Sequence, residues 1–143
     1  MSRVDFYIVE STDPRSRLLI ACRLCEKAWL GGFRTFVLTD TSAQQKQIDD
    51  LLWTFRPGSF VPHATEHDPA HADVPVIVGN SLNPERSSNL LVNLKSTTVD
   101  PLPSVERIIE IVDRDTRVRE EGRKRFRHYR ENGHSVKSHR ISL

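Results

Sequence analysis

A chain of 143 residues, 28% charged and 37% hydrophobic, has the size and balance of a single globular domain with a core of its own. No apolar run nears the roughly 20 residues of a membrane-spanning helix, and two cysteines without a secretory context point to a reducing cytosol. The formal net charge of +2 hides an asymmetry: from Asp113 onward ten Lys/Arg face five Asp/Glu, a net of +5, which leaves −3 for the rest.

Val4–Val9 is short, apolar and β-branched, and reads as a buried strand. The chain runs straight from Met1 into that pattern, so no signal peptide is expected. Asp13 as N-cap and Pro14 at the first helical position open a helix that should end near Leu30, before Gly31-Gly32. Its apolar stripe is Leu18, Cys22, Cys25 and Trp29. Cys22 and Cys25 form a C-x-x-C, the spacing of a redox pair or half a zinc site. Both fall on the core-facing stripe and no second cysteine pair exists, so they read as small core hydrophobes.

Thr35–Leu38 is a second strand. Caps follow at Asp40-Thr41-Ser42, with Ser42 and Gln45 at capping-box spacing, and Ile48, Leu51 and Leu52 form the buried face of the next helix. From Ala64 to Val74 the chain reads as an exposed polar loop. His63, His67 and His71 recur every four residues there, but Pro69 breaks any helix that could align them, and no metal is expected. Val76–Val78 and Leu90–Leu94 are further strands, Pro101 and Pro103 mark a turn, and Ile108–Val112 is a strand expected at the sheet centre. Strands alternating with helices at tight joints predict an α/β fold: one three-layer domain over residues 1–143, with a mainly parallel central sheet flanked by helices.

That architecture resembles a nucleotide-binding fold without its phosphate-binding loop. Neither Glu10–Pro14 nor Thr39–Ser42 is glycine-rich, and no phosphate-cradling or nucleophile-elbow motif appears. Asp5, Asp40 and Asp113 flank strands, as helix-capping aspartates commonly do. No catalytic residue and no cofactor are assigned.

Two features remain for function. The stretch Leu51–His63 carries Trp53, Phe55 and Phe60 among Pro57, Gly58 and Pro62. Arg56-Pro57 forces the chain out of helix, and the expected result is a stiff segment presenting Trp53, Phe55, Phe60 and Val61. These side chains could pack on the core or form an apolar anchor for another protein.

The second feature is the helix expected over 113–131. Taking Val118 as zero, Tyr129 falls at about 20°, Gly122 at about 40° and Phe126 at about 80°, while Arg119, Arg123, Arg130 and Arg127 lie between about 100° and 180°. Val118, Gly122 and Tyr129 should face the core beside an arginine stripe, with Phe126 on the boundary. Gly122 costs about 1 kcal/mol relative to alanine and signals close packing on the sheet. The stripe reads as a solvated face, as a nucleic-acid contact diluted by Glu120, Glu121 and Glu131, or as a pocket for an acidic peptide with an apolar end.

Leu52-Trp53, Arg56-Pro57 and Ser59-Phe60-Val61-Pro62-His63 resemble the signature of the chi subunit family of bacterial DNA polymerase III holoenzyme. The resemblance runs from Asp5-Phe6-Tyr7 through the C-terminal helix; the loop from Ala64 to Asp73 does not match closely. It implies a non-catalytic member of the clamp-loader assembly, in a cytoplasmic, nucleoid-associated replisome. It further implies that Trp53, Phe60, Val61, Pro62 and His63 hold the psi subunit, which tethers chi to the clamp loader. Val112, Arg119, Arg123, Phe126 and Arg127 would receive the acidic C-terminal tail of single-stranded DNA-binding protein, with little direct nucleic-acid binding. The family member that compares best has tyrosine where this chain has Phe126, and lysines at Arg119 and Arg127, which keeps the charge but changes its geometry. Against this stand a small basic nucleic-acid binder and a nucleotide-binding enzyme of Rossmann-like fold.

Overall fold

The computed structural model describes residues 3–68, 74–82, 88–100 and 104–142. Among the described residues seven strands form one sheet: β1 (Arg3–Val9), β2 (Thr35–Leu38), β3 (His63–Thr65), β4 (Val76–Gly79), β5 (Leu90–Asn93), β6 (Arg107–Val112) and β7 (Ser135–Ile141). Their order is β3-β4-β2-β5-β6-β1-β7, and every neighbouring pair is parallel. A parallel sheet is covered on both faces, which is why β2, β4 and β5 are buried at every position and show no alternation in sequence. β5 holds the middle of the order, with β6 one place off the centre expected for it.

The helices α1 (Arg15–Leu30) and α2 (Ser42–Thr54) cover one face, and α3 (Thr116–Glu131) covers the other. Asp13 starts α1 by accepting the Arg15 N–H at 3.0 Å, and the chain leaves the helix through Gly32 at φ 82°. The capping box of α2 sits one residue earlier than the expected Ser42/Gln45 pair. Thr41 accepts the Gln44 N–H at 3.1 Å, and Gln44 accepts the Asp40 N–H at 2.8 Å. Gln45 is unavailable because it turns into the sheet and donates to the Val78 carbonyl. Cys22, Cys25, Leu18 and Ile48 lie in the core between α1, α2 and the sheet, with Trp29 packed on its margin. Both cysteines are free; burial pushes the Cys22 thiol up to about 12 and raises Cys25 further.

Three further expectations change. α3 starts at Thr116 behind the Asp115 cap, not at Asp113. The polar segment after Pro62 contains the short edge strand β3, which pairs with β4. At the opposite edge β7, which has no counterpart in the sequence reading, pairs with β1 along its whole length. Five of its seven residues are exposed, because an edge strand bonds one neighbour only and can be polar.

Of the three histidines, His63 is buried and bonded to the carbonyls of Val61 and Asp49. His67 is exposed, while Pro69, His71 and Asp73 lie outside the described residues, as do Pro101 and Pro103. Among the described residues no three His, Cys, Asp or Glu side chains are grouped to hold a metal, and no helix is long and apolar enough to cross a membrane.

Candidate functional site

The cleft between α3 and the β1/β7 edge gathers most of the arginine-rich constellation. Phe6 and Ile8 of β1, Val112 at the end of β6, Arg119, Gly122, Arg123 and Phe126 of α3, and Ser138 and Arg140 of β7 wall a space of about 280 Å³. Gly122 makes the close approach possible: a Cβ added there would fall 2.6 Å from Val112 Cγ1. The floor is aromatic, with the Phe6 and Phe126 rings 5.2 Å apart, and Arg130 lies 5.9 Å over Phe126.

The cations differ in what already holds them. Arg119 Nε donates to the Asp113 carbonyl, and Arg140 faces Glu10 at 3.4 Å. The Arg123 side chain is exposed and makes no hydrogen bond or ion pair with a described residue. An anion entering the cleft therefore meets a guanidinium with all its donors available. Four of the five residues expected for a tail pocket share this cleft. Arg127 is the exception, lying beside Arg130 and Glu131 in a separate shallow hollow. Ser138 and Arg140 were missed, because the strand that carries them was.

Behind the cleft α3 is fastened to the sheet by a buried polar network. The Glu110 carboxylate accepts Arg125 Nε at 3.0 Å, Asn93 Nδ2 at 2.8 Å and the Tyr129 hydroxyl at 2.7 Å. Arg125 NH1 also donates to the Ser96 carbonyl at 2.9 Å, and the Tyr129 oxygen accepts the Val99 N–H. Burial raises the Glu110 carboxyl above its ordinary range, while Arg125, Asn93 and Tyr129 pull against it. Arg125 was overlooked within a basic run, yet it falls about 20° from Val118 on the helical wheel, inside the buried arc. Glu110 likewise interrupts the apolar run Ile108–Val112.

The aromatic stretch divides. α2 continues through Thr54, so Trp53 stands on its last turn, 53% exposed, and Phe60 is 56% exposed. Their rings are 5.4 Å apart, and the His63 ring supports Trp53 from 4.6 Å. Glu26 clamps the segment from α1, paired with Arg56 at 2.6 Å and bonded to Ser59. Val61, expected at the surface, is 1% exposed and belongs to the core, and His63 is buried beneath the patch. Phe55 packs half-buried on the core. Trp53 and Phe60, with half-buried Pro62 beside them, form the outward face; the chain must turn Val61 inward to begin β3.

An open parallel sheet binds ligands where adjacent strands send their helices to opposite faces. Here that point lies between β1, which leads to α1, and β6, which leads to α3. It is bridged: the Arg114 N–H donates to the Ser11 carbonyl at 2.9 Å, and Arg114 pairs with Glu10 at 3.5 Å. Asp5 belongs to another cluster. It is fully buried in β1 and accepts Arg3, Arg107 and His139.

A parallel sheet with helices on both faces defines a broad class of α/β domain. At that level the chain is similar to the crystal structure of T4 UvsW, with a TM-score of 0.68 over 98% of this chain and 41% of that one, at 10% identity. The family is narrower. The family model described as DNA polymerase III chi subunit, HolC, matches residues 1–137. The chain is 38% identical over 141 residues to DNA polymerase III subunit chi of Pseudomonas aeruginosa, covering 99% of this chain and 98% of that one. It is 27% identical to the subunit of the same name from Haemophilus influenzae, covering 96% of each. The chain belongs to the DNA polymerase III chi subunit family, an accessory, non-catalytic subunit in DNA replication.

Proposed function

We propose that the chain bridges two partners of the replication machinery: a psi subunit on the Trp53/Phe60 face and the acidic C-terminal tail of single-stranded DNA-binding protein in the α3–β7 cleft. Through psi it would be held on the clamp loader. The observation that carries this reading is the meeting of Val112, Arg119, Arg123 and Phe126 around one open cleft. An apolar floor with unpaired arginine at the rim suits an aromatic residue that bears a free carboxylate. Arg127, outside the cleft, would meet acidic residues further back in the tail. Phe126 offers a ring without a hydroxyl, so the terminal residue is held by stacking and by charge.

The benefit of such a bridge is effective concentration. Two modest contacts on one rigid domain keep a polymerase complex near coated single strands without a further catalytic contact. The two sites are well separated in the fold, one at the β7 edge and the other beside β3, so both can be occupied together.

The test is fluorescence anisotropy with a labelled acidic peptide ending in Pro-Phe. Wild type should bind it in the micromolar range, and Arg123→Ala or an amidated peptide end should weaken binding at least roughly tenfold. Equal binding of the free and amidated peptides would overturn the tail assignment. At the other site, Phe60→Ala should abolish co-purification with psi and shift the thermal midpoint little, since a half-exposed ring contributes little to the core. A large fall in midpoint with psi retained would refute that assignment.

A further inference from the structure

A second and larger cavity, about 530 Å³, opens on the opposite face of the sheet, between the last turns of α1 and the amino-terminal ends of β1, β5 and β6. Its volume is within the range of sites that hold a ligand. Leu24 and Ala28 of α1, with Leu90 and Ile109 of the sheet, give it an apolar floor. Phe33 stands at its side, 49% exposed, with its ring over Gly31, where an added Cβ would lie 3.2 Å from the ring.

The rim is cationic. Lys27 is exposed, and its ammonium has no charged or hydrogen-bonding partner among the described residues. Arg3 and Arg107 share a single carboxylate, that of Asp5, through their Nε atoms at 2.9 and 2.6 Å. Arg107 adds a bond to the Tyr7 hydroxyl, and the terminal nitrogens of Arg3 have no partner among the described residues. Two features oppose an anion: Glu106 on the same rim and the negative end of the α1 macrodipole. Counted with Asp5, which pairs with both arginines, and Glu106, the three cations leave a net charge of +1 (three minus two), and the unpaired charge among them is Lys27.

We infer that this cavity is a docking site for an acidic peptide segment of a partner protein, which inserts one large apolar side chain between α1 and the sheet while its flanking carboxylates meet Lys27, Arg3 and Arg107. Charge complementarity and the apolar floor select that occupant. Its carboxylates would come from side chains within a segment, because Lys27 stands on α1 while Arg3 and Arg107 sit together on the sheet around Asp5. The site lies on the face opposite the α3–β7 cleft and stands whether or not the tail assignment does.

The experiment uses a labelled peptide, acidic residues flanking one tryptophan, with both ends blocked so that no terminal carboxylate can engage Arg123. Wild type should bind it at low salt. Lys27→Glu should weaken binding roughly five- to tenfold, and Ala28→Leu, which fills the floor, should abolish it. Arg123→Glu should leave it unchanged. Thermal midpoints report whether Ala28→Leu folds; Lys27→Glu alters an exposed, unpaired residue and carries the test by itself. Absence of binding to wild type, loss with Arg123→Glu in place of Lys27→Glu, or displacement by a short oligothymidylate at equal charge would each overturn the proposal.

Discussion

Replacing Arg125 with methionine tests what fastens α3 to the sheet. The Glu110 side chain is fully buried and that of Arg125 is 4% exposed. The substitution removes the only cation bonded to Glu110 among the described residues and leaves the carboxylate with Asn93 and Tyr129 alone. Breaking one half of a buried pair costs about 3–5 kcal/mol, and releasing the Ser96 carbonyl adds to that. With its counter-charge gone, burial should push the Glu110 carboxyl further above its ordinary value of 4.5. A carboxyl whose folded value is raised binds a proton on folding, so its contribution is fullest below the unfolded value and is lost as pH rises through the folded one. The deficit of Arg125→Met should therefore be larger at pH 7 than near pH 5, a signature that lost packing alone would not produce. Urea unfolding followed by far-ultraviolet circular dichroism at both pH values measures it. A deficit below about 1 kcal/mol, or one equal at the two pH values, would refute Arg125 as the counter-charge that the buried Glu110 carboxyl requires.

Two further outcomes follow from buried groups. Burial acts to raise the Asp5 carboxyl, but the hydrogen bonds from His139, Arg107 and Arg3 outweigh it and hold the group near 2, against an ordinary 3.8. The stability it contributes, about 1–2 kcal/mol after allowance for the exposed Arg3 and His139 partners, is complete above 3.8 and is lost as pH falls toward 2. Denaturation from pH 6 downward should show the advantage of wild type over Asp5→Asn shrinking in that window; a constant gap would disprove the assignment. Cys22, held near 12 by burial, and Cys25, higher still, should resist a thiol reagent at mildly alkaline pH in the folded protein and react fully in guanidinium chloride. Rapid labelling of the native protein would place them outside the core.

Much of the fold was legible because its signals are local. β1, β2, β4, β5 and β6 are short apolar runs, α1 and α2 carry capping residues and apolar stripes, and the position of Cys22 and Cys25 on the α1 stripe settled their role. Gly122 announced its close contact with the sheet, later seen against Val112. The signature from Leu52 to His63 was enough to suggest the family. Other features depended on neighbours far along the chain. β7 is polar and would not be a strand without the parallel partner that β1 provides. Until β7 is in place, the α3 face has no opposite wall, and Ser138 and Arg140 cannot be counted in the cleft. Val61 sits in an aromatic stretch that reads as surface, but the turn into β3 points it to the core. Arg125 looks like one more cation in a basic helix until Glu110, 15 residues earlier, is brought beneath it. Composition and periodicity thus determined which segments fold and which side of each is apolar. Strand order, the edges and the pairing of buried charges were decided by the tertiary structure, because those properties belong to residues that meet only after the chain has crossed the sheet.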